Sequence, residues 1–165
     1  MKINLIFFLP TFIFGGAGNS IYRLCSKLNK KKYNIYIISI GKCYYKQKLK
    51  KYCRHIFELK TKRTLFSIFT VRNIVSNVYK NFPQKTIFVS NQHYANVISL
   101  LSLKSIKYVK IILVDRIDII ELKRYYNFFN FLKNKIIYYL CALTYKYADA
   151  VVTNSKSAKN DLQKL

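Results

Sequence analysis

Tryptophan is absent from this chain, Pro occurs twice, Gly four times and Met once, and only six Asp and Glu stand among 165 residues. With so little Pro and Gly, no Pro- or Ser-rich linker divides the sequence, and no internal repeat is visible. Cysteine is sparse too, at positions 25, 43, 53 and 141, with no CxxC pair and no His at zinc spacing. That pattern excludes a disulfide scaffold and a sequence-evident metal site, and it fits a reduced cytosolic compartment. No apolar run reaches the roughly 18 residues that a membrane-spanning helix requires.

What is present is apolar and basic. Apolar residues make up 52% of the chain, with 15 Tyr and 12 Phe, which rules out intrinsic disorder. The length suits one ordinary domain and is too short for two of roughly 100 to 150 residues each. Thirty Lys and Arg give a formal charge of +24. Such a balance points to nucleic acid or an anionic membrane surface as partner. A compositional origin competes, because Lys, Asn, Ile, Tyr and Phe, all abundant here, have the codons richest in A and T. Only clustering of the charge separates the two.

Strand and helix patterns alternate. Lys2 to Leu9 is a short apolar run of the kind that forms a buried parallel strand. Gly15, Gly16 and Gly18 follow, and then Ile21, Leu24, Cys25 and Leu28 recur at helical spacing behind Asn19 or Ser20 as N-cap. The same run and its glycines imitate a signal peptide, but a single Lys and Pro10 count against one. Further strands are expected at 35–40, 54–59, 86–90, 108–114 and 149–153. Helices are expected after Ser67 up to Pro83, after His93, across 119–147, and behind Ser155, where Ala158, Leu162 and Leu165 share a face. The fold class is therefore α/β, a Rossmann-like doubly wound parallel sheet.

In such a sheet ligands bind beyond the carboxyl ends of the strands. The residues expected there are Gly15, Gly16 and Gly18; Asn91, Gln92 and His93; Asp115, Arg116 and Asp118; and Asn154 with Ser155. A glycine turn opening a helix offers backbone N–H groups to a phosphate or a sugar hydroxyl. The dinucleotide pattern GxGxxG fails at Ile21 and the P-loop ending is missing, so hydride transfer and nucleotide hydrolysis lose their usual support. His93 is the candidate catalytic residue, with a structural hydrogen-bonding role as the alternative, whereas His55 looks ordinary. Asp115, Arg116, Asp118 and Glu121 form an acid-rich cluster whose alternative reading is an internal ion-pair set.

These residues resemble a family. Phe8-Leu9-Pro10 with Phe14-Gly15-Gly16-Ala17-Gly18-Asn19-Ser20, then Ser90-Asn91-Gln92-His93-Tyr94-Ala95-Asn96, then Tyr147-Ala148-Asp149-Ala150-Val151-Val152-Thr153-Asn154-Ser155 are similar, in order, to the N-terminal domain of family 4-like glycosyltransferases. The resemblance implies one half of a GT-B architecture, the acceptor-side domain over residues 1–165, with the nucleotide-sugar-binding C-terminal domain absent. It implies a nucleotide-sugar as substrate, no other cofactor, a glycan or lipid-linked acceptor, and sugar transfer that is incomplete without a C-terminal domain or a separate subunit supplying it. Gly15 and Gly16 carry over as the donor phosphate and sugar contact, and Asn91 and His93 as the polar turn. Asp115-Arg116 departs from the Glu-Arg or Glu-His common after the fifth strand of that family.

The charge is uneven. Residues 1–82 carry 17 basic groups and one acid, against 13 and five over 83–165. Lys42 to Arg63 holds nine basic residues interleaved with Tyr44, Tyr45 and Tyr52. Lys42, Lys46, Lys48, Lys50, Lys51 and Arg54 form a candidate patch facing an anionic membrane, which implies a cytoplasmic protein peripheral at the membrane. The alternatives are a basic nucleic-acid-binding module, for which no RNP1, zinc-finger or basic-zipper motif is found, and a non-catalytic remnant.

Overall fold

The computed structural model describes residues 2–13, 15–59, 61, 64–116 and 128–164. Six parallel strands form one sheet in the order β3-β2-β1-β4-β5-β6, with β1 Ile3–Leu9, β2 Tyr33–Ser39, β3 His55–Glu58, β4 Thr86–Asn91, β5 Val109–Asp115 and β6 Ala150–Thr153. The helices are α1 Gly16–Lys27, α2 Lys46–Lys50, α3 Ser67–Asn81, α4 His93–Leu103, α5 Phe128–Thr144 and α6 Lys156–Gln163. The Rossmann-like doubly wound sheet expected from the alternating pattern is thus what the chain forms.

Period-two alternation on β1 distributes its side chains between two cores. Ile6 and Phe8 join Tyr36 and Ile38 beneath α3, α4 and α5, while Leu5, Phe7 and Leu9 join Ile35 and Ile37 against α1 and the buried Leu49 of α2. Burial on both faces is why β1 and β2 read as continuous apolar runs. At the amino end of the sheet the buried Asn4 side chain donates to the Phe82 carbonyl at 2.8 Å and accepts from Asn34 Nδ2 at 3.2 Å. These bonds satisfy polar groups that burial would otherwise leave unpaired.

Several element boundaries differ from the sequence expectation. α1 begins at Gly16, so Asn19 and Ser20 lie inside it and Gly15 stands at the N-cap. Asn19 N–H instead bonds the Gly15 carbonyl at 3.0 Å. Ser67 is the first residue of α3 rather than its cap, and it is buried. The short helix α2 was not expected; its five residues are held by the buried anchor Leu49. Asn91 and Asp115 end strands rather than opening turns, because both still pair with a neighbouring strand. Of the one long helix or two successive helices expected over 119–147, α5 and a 3-10 turn at Tyr145–Tyr147 are seen, and Asp118, Glu121 and Leu165 lie outside the described residues. Among the described residues no helix is long and apolar enough to cross a membrane.

Candidate functional site at the carboxyl edge of the sheet

A cavity of about 370 Å³ opens at the carboxyl ends of the strands, lined by Gly16, Ala17, Gln92, His93, Asp115, Arg116 and Asn154. It lies where β1 and β4 adjoin in the strand order and their crossovers diverge, the switch point at which doubly wound sheets bind ligands. Two helices, α1 and α4, start on its rim, and neither has a side-chain cap on its first amides or an acid in its first turn. Both therefore present N–H groups and the positive end of a helix dipole to whatever enters. The Arg116 side chain adds a cation, and its pKa is lowered by burial.

The turn between β4 and α4 is strained. Gln92 has φ 78° and ψ 143°, the one positive-φ non-Gly residue among those described. An L side chain in that region costs on the order of 1–3 kcal/mol and persists where surrounding bonds enforce it. Here Gln92 N–H bonds the Val114 carbonyl at 3.2 Å, and its own carbonyl accepts from Asn96 N–H at 2.8 Å. Gln92 thus stands at the N-cap of α4, and His93 is the first residue of that helix.

His93 is nearly buried and enters a polar network in an otherwise apolar core. Asp115 Oδ1 lies 3.0 Å from His93 Nδ1, 2.7 Å from Asn96 Nδ2 and 3.2 Å from the Tyr145 hydroxyl. Asn96 Nδ2 also donates to the Tyr145 oxygen at 3.1 Å. Burial, together with Cys141 and Asp115, pushes the Tyr145 hydroxyl far above the usual phenol range, so it stays a donor. The Cys141 thiol beside it is pushed up to about 12, chiefly by burial. When Nδ1–H donates to Asp115, Nε2 carries the imidazole lone pair. Nε2 is buried and has no hydrogen-bond partner within the protein, as is true of Asp115 Oδ2. Unpaired buried groups of this kind suit a ligand's hydroxyl.

The expected site residues separate into two groups. Gly16, His93, Asp115 and Arg116 are brought together around the cavity, with Gly15 at its α1 rim. Asn91, Gly18 and Ser155 are not on the lining. Asn91 is buried and reaches the Phe8 carbonyl at 3.5 Å, tying β4 to β1. Gly18 is a packing residue: a Cβ there would lie 2.8 Å from the Ile13 carbonyl oxygen and 3.1 Å from the Tyr45 ring. Ser155 caps α6, its hydroxyl accepting from Ala158 N–H at 3.0 Å. Asn96, seen in the sequence only as part of a motif, and Tyr145 are not among the expected site residues. Asn96 could have been found as the residue one helical turn after His93, whereas nothing local marks Tyr145.

The basic cluster lies around α2 and β3. Lys46 pairs with Glu58, which also accepts from Cys43 N–H at 2.8 Å. Lys51 and Lys30 sit over the Tyr52 ring, Lys42 over Tyr44, and Arg54 over Phe82. Lys48 and Lys50 are exposed on α2. A second cavity of about 630 Å³ lies beside them, lined by Gly41 to Tyr44, Lys46, Gln47 and Glu58. His55 is exposed and its ring lies tilted at 51° against Phe57, 4.3 Å between ring centroids.

With this geometry in place, the comparison with known structures is informative. The fold is shared with a nucleotide-sugar enzyme. A crystal structure from Listeria monocytogenes, described as a UDP-N-acetylglucosamine 2-epimerase, superposes over 99% of this chain with a TM-score of 0.54 and 16% identity. The chain spans 42% of that protein's length. No family model matches the sequence. No curated protein sequence matches it either. The likeness establishes the fold, a Rossmann-like domain of the GT-B type.

Proposed function

We propose that this chain is the Rossmann-like domain of a nucleotide-sugar-dependent glycosyltransferase of the family 4-like type, with its sugar site in the cavity between α1, α4, β5 and β6. The observation that carries the reading is the His93–Asp115 pair, which lines the same cavity as two uncapped helix N-termini and Arg116. Amide N–H groups and a guanidinium suit the diphosphate of a nucleotide-sugar, and an imidazole acceptor suits a sugar hydroxyl. His93 then accepts the hydroxyl proton or holds the sugar, and Asp115 orients the ring and stabilises it when protonated.

The sequence motifs support the finer assignment to transfer, and the fold of the Listeria protein supports the coarser one to nucleotide-sugar chemistry. Transfer is expected to need a second domain facing this cavity to hold the nucleotide, while this chain contacts the diphosphate and the sugar. The acceptor is a glycan or a lipid-linked glycan. Isothermal titration of the chain with UDP-N-acetylglucosamine and other nucleoside diphosphate sugars tests the reading. Binding weakened about tenfold or more by Arg116→Ala and by His93→Ala supports it. Equal binding by wild type and both variants, or no binding of any nucleotide-sugar, contradicts it.

A further inference from the structure

The outer face of α5 is the surface that breaks the usual rule for a domain of this kind. Ile137, Cys141 and Thr144 turn inward and are buried. Leu132, Ile136, Tyr139 and Leu143, at i, i+4, i+7 and i+11, are 47, 51, 56 and 62% exposed. A surface helix normally places polar residues on that face. Here an apolar stripe about 16 Å long stands in solvent. Lys133, Lys135 and Lys146 flank it, and no acid occurs between Phe128 and Tyr147. At its carboxyl end the half-exposed Tyr147 ring has the Nζ atoms of Lys146 and of Lys104, the residue after α4, at 5.4 and 4.8 Å from its centroid.

We propose that this face docks on an anionic lipid bilayer, with the stripe entering the headgroup boundary and the lysines contacting phosphates. Aliphatic and aromatic side chains rimmed by cations are the composition of an interfacial helix. The cations select the occupant. A second copy of a chain with a charge of +24 would be repelled, and a nucleic acid would gain nothing from exposed Leu and Ile. The Lys42–Arg54 cluster offers charge without an apolar stripe, since Leu49 is buried and Lys46 is paired with Glu58. Its attraction to lipid would be long-range and salt-sensitive, whereas α5 supplies the contact that survives salt.

Flotation with phosphatidylcholine vesicles, with and without phosphatidylglycerol, tests this. The wild-type chain is expected to float with the anionic vesicles and to retain part of that binding at high salt. Leu132→Asn/Ile136→Asn/Leu143→Asn should weaken flotation at least about tenfold, and Lys133→Gln/Lys135→Gln/Lys146→Gln should reduce its dependence on phosphatidylglycerol. Should the first variant misfold by circular dichroism, the second still decides. The proposal is overturned if wild type does not float or if both α5 variants float like wild type. It is also overturned if binding is lost only on Lys48→Gln/Lys50→Gln/Lys51→Gln, or only on Phe66→Ser/Phe69→Ser, which removes the two exposed aromatics at the start of α3, or if the stripe closes a stable dimer that light scattering detects without lipid.

Discussion

Asp115 Oδ1 is the acceptor on which His93, Asn96 and Tyr145 converge, with His93 Nδ1 3.0 Å away and both residues buried at the end of neighbouring elements. Asp115→Asn places an amide where three donors meet. Losing a charged acceptor for buried groups costs on the order of 1–3 kcal/mol. We expect a lowered urea midpoint of unfolding and weakened nucleotide-sugar binding together. A variant with undiminished stability and affinity would show that the network is dispensable.

Tyr145→Phe removes one of the three donors and leaves the packing intact. Its stability cost should be smaller, about 1 kcal/mol. Because the ring of His93 would be less firmly held, the ¹⁵N shifts of its imidazole should move in the variant. Unchanged imidazole signals would separate Tyr145 from the positioning of His93.

Glycines 16 and 18 should respond in opposite ways. A Cβ at Gly16 meets no heavy atom within 4 Å, so Gly16→Val fits the fold but projects a side chain into the cavity that Gly16 lines. Nucleotide-sugar affinity should fall while the melting temperature stays within about 2 °C of wild type. Gly18→Ala drives a methyl to 2.8 Å from the Ile13 carbonyl and should destabilise by roughly 1–3 kcal/mol. Reversal of this pattern would place the ligand elsewhere.

Ser155→Ala should cost about 1 kcal/mol of stability through the lost α6 cap, with nucleotide-sugar affinity unchanged. Calorimetry on the purified variant checks both, and a loss of affinity at full stability would return Ser155 to the binding site.

Acid should weaken the fold partly through Asp149. Partial burial would raise its pKa, but the hydrogen bond from Lys110 at 2.7 Å and that from Ile111 N–H at 2.8 Å outweigh it and hold the carboxyl below its ordinary value. A depressed carboxylate contributes stability that is present above its unfolded pKa of about 3.9 and lost as pH falls through the lower folded value. Denaturant midpoints measured from pH 6 downward, a range set by about two units above that reference, should fall less steeply in Asp149→Asn. An identical acid slope in both proteins would contradict the assignment.

How much of this was legible in the sequence depended on the range of the interaction. β1 and β2 are readable because burial on both faces makes Ile3–Leu9 and Tyr33–Ser39 largely apolar, with Asn4, Asn34 and Ser39 the polar exceptions. The clustering of Gly16, His93, Asp115 and Arg116 followed from topology alone, since residues ending parallel strands meet at one edge. The start of α1 was misplaced because Asn19 and Ser20 have good capping chemistry, while the chain enters the helix through Gly15. Gly18 and Gly16 look alike in sequence, and only the approach of the Ile13 carbonyl tells packing from ligand access. Tyr145 joins Asp115 from 30 positions away, and no local pattern announces that contact. The α5 stripe escaped notice because an all-round apolar helix reads as buried core until its outer face is seen in solvent.

Whether the cavity beside His93 takes a nucleotide-sugar is read most directly by titrating the isotopically labelled chain with UDP-N-acetylglucosamine and following it by NMR. Shift changes should concentrate at Gly16, Ala17, Gln92, His93, Arg116 and Asn154, including the His93 Nε2 resonance. Changes confined to the lysines around α2, or no changes at saturating ligand, would contradict it.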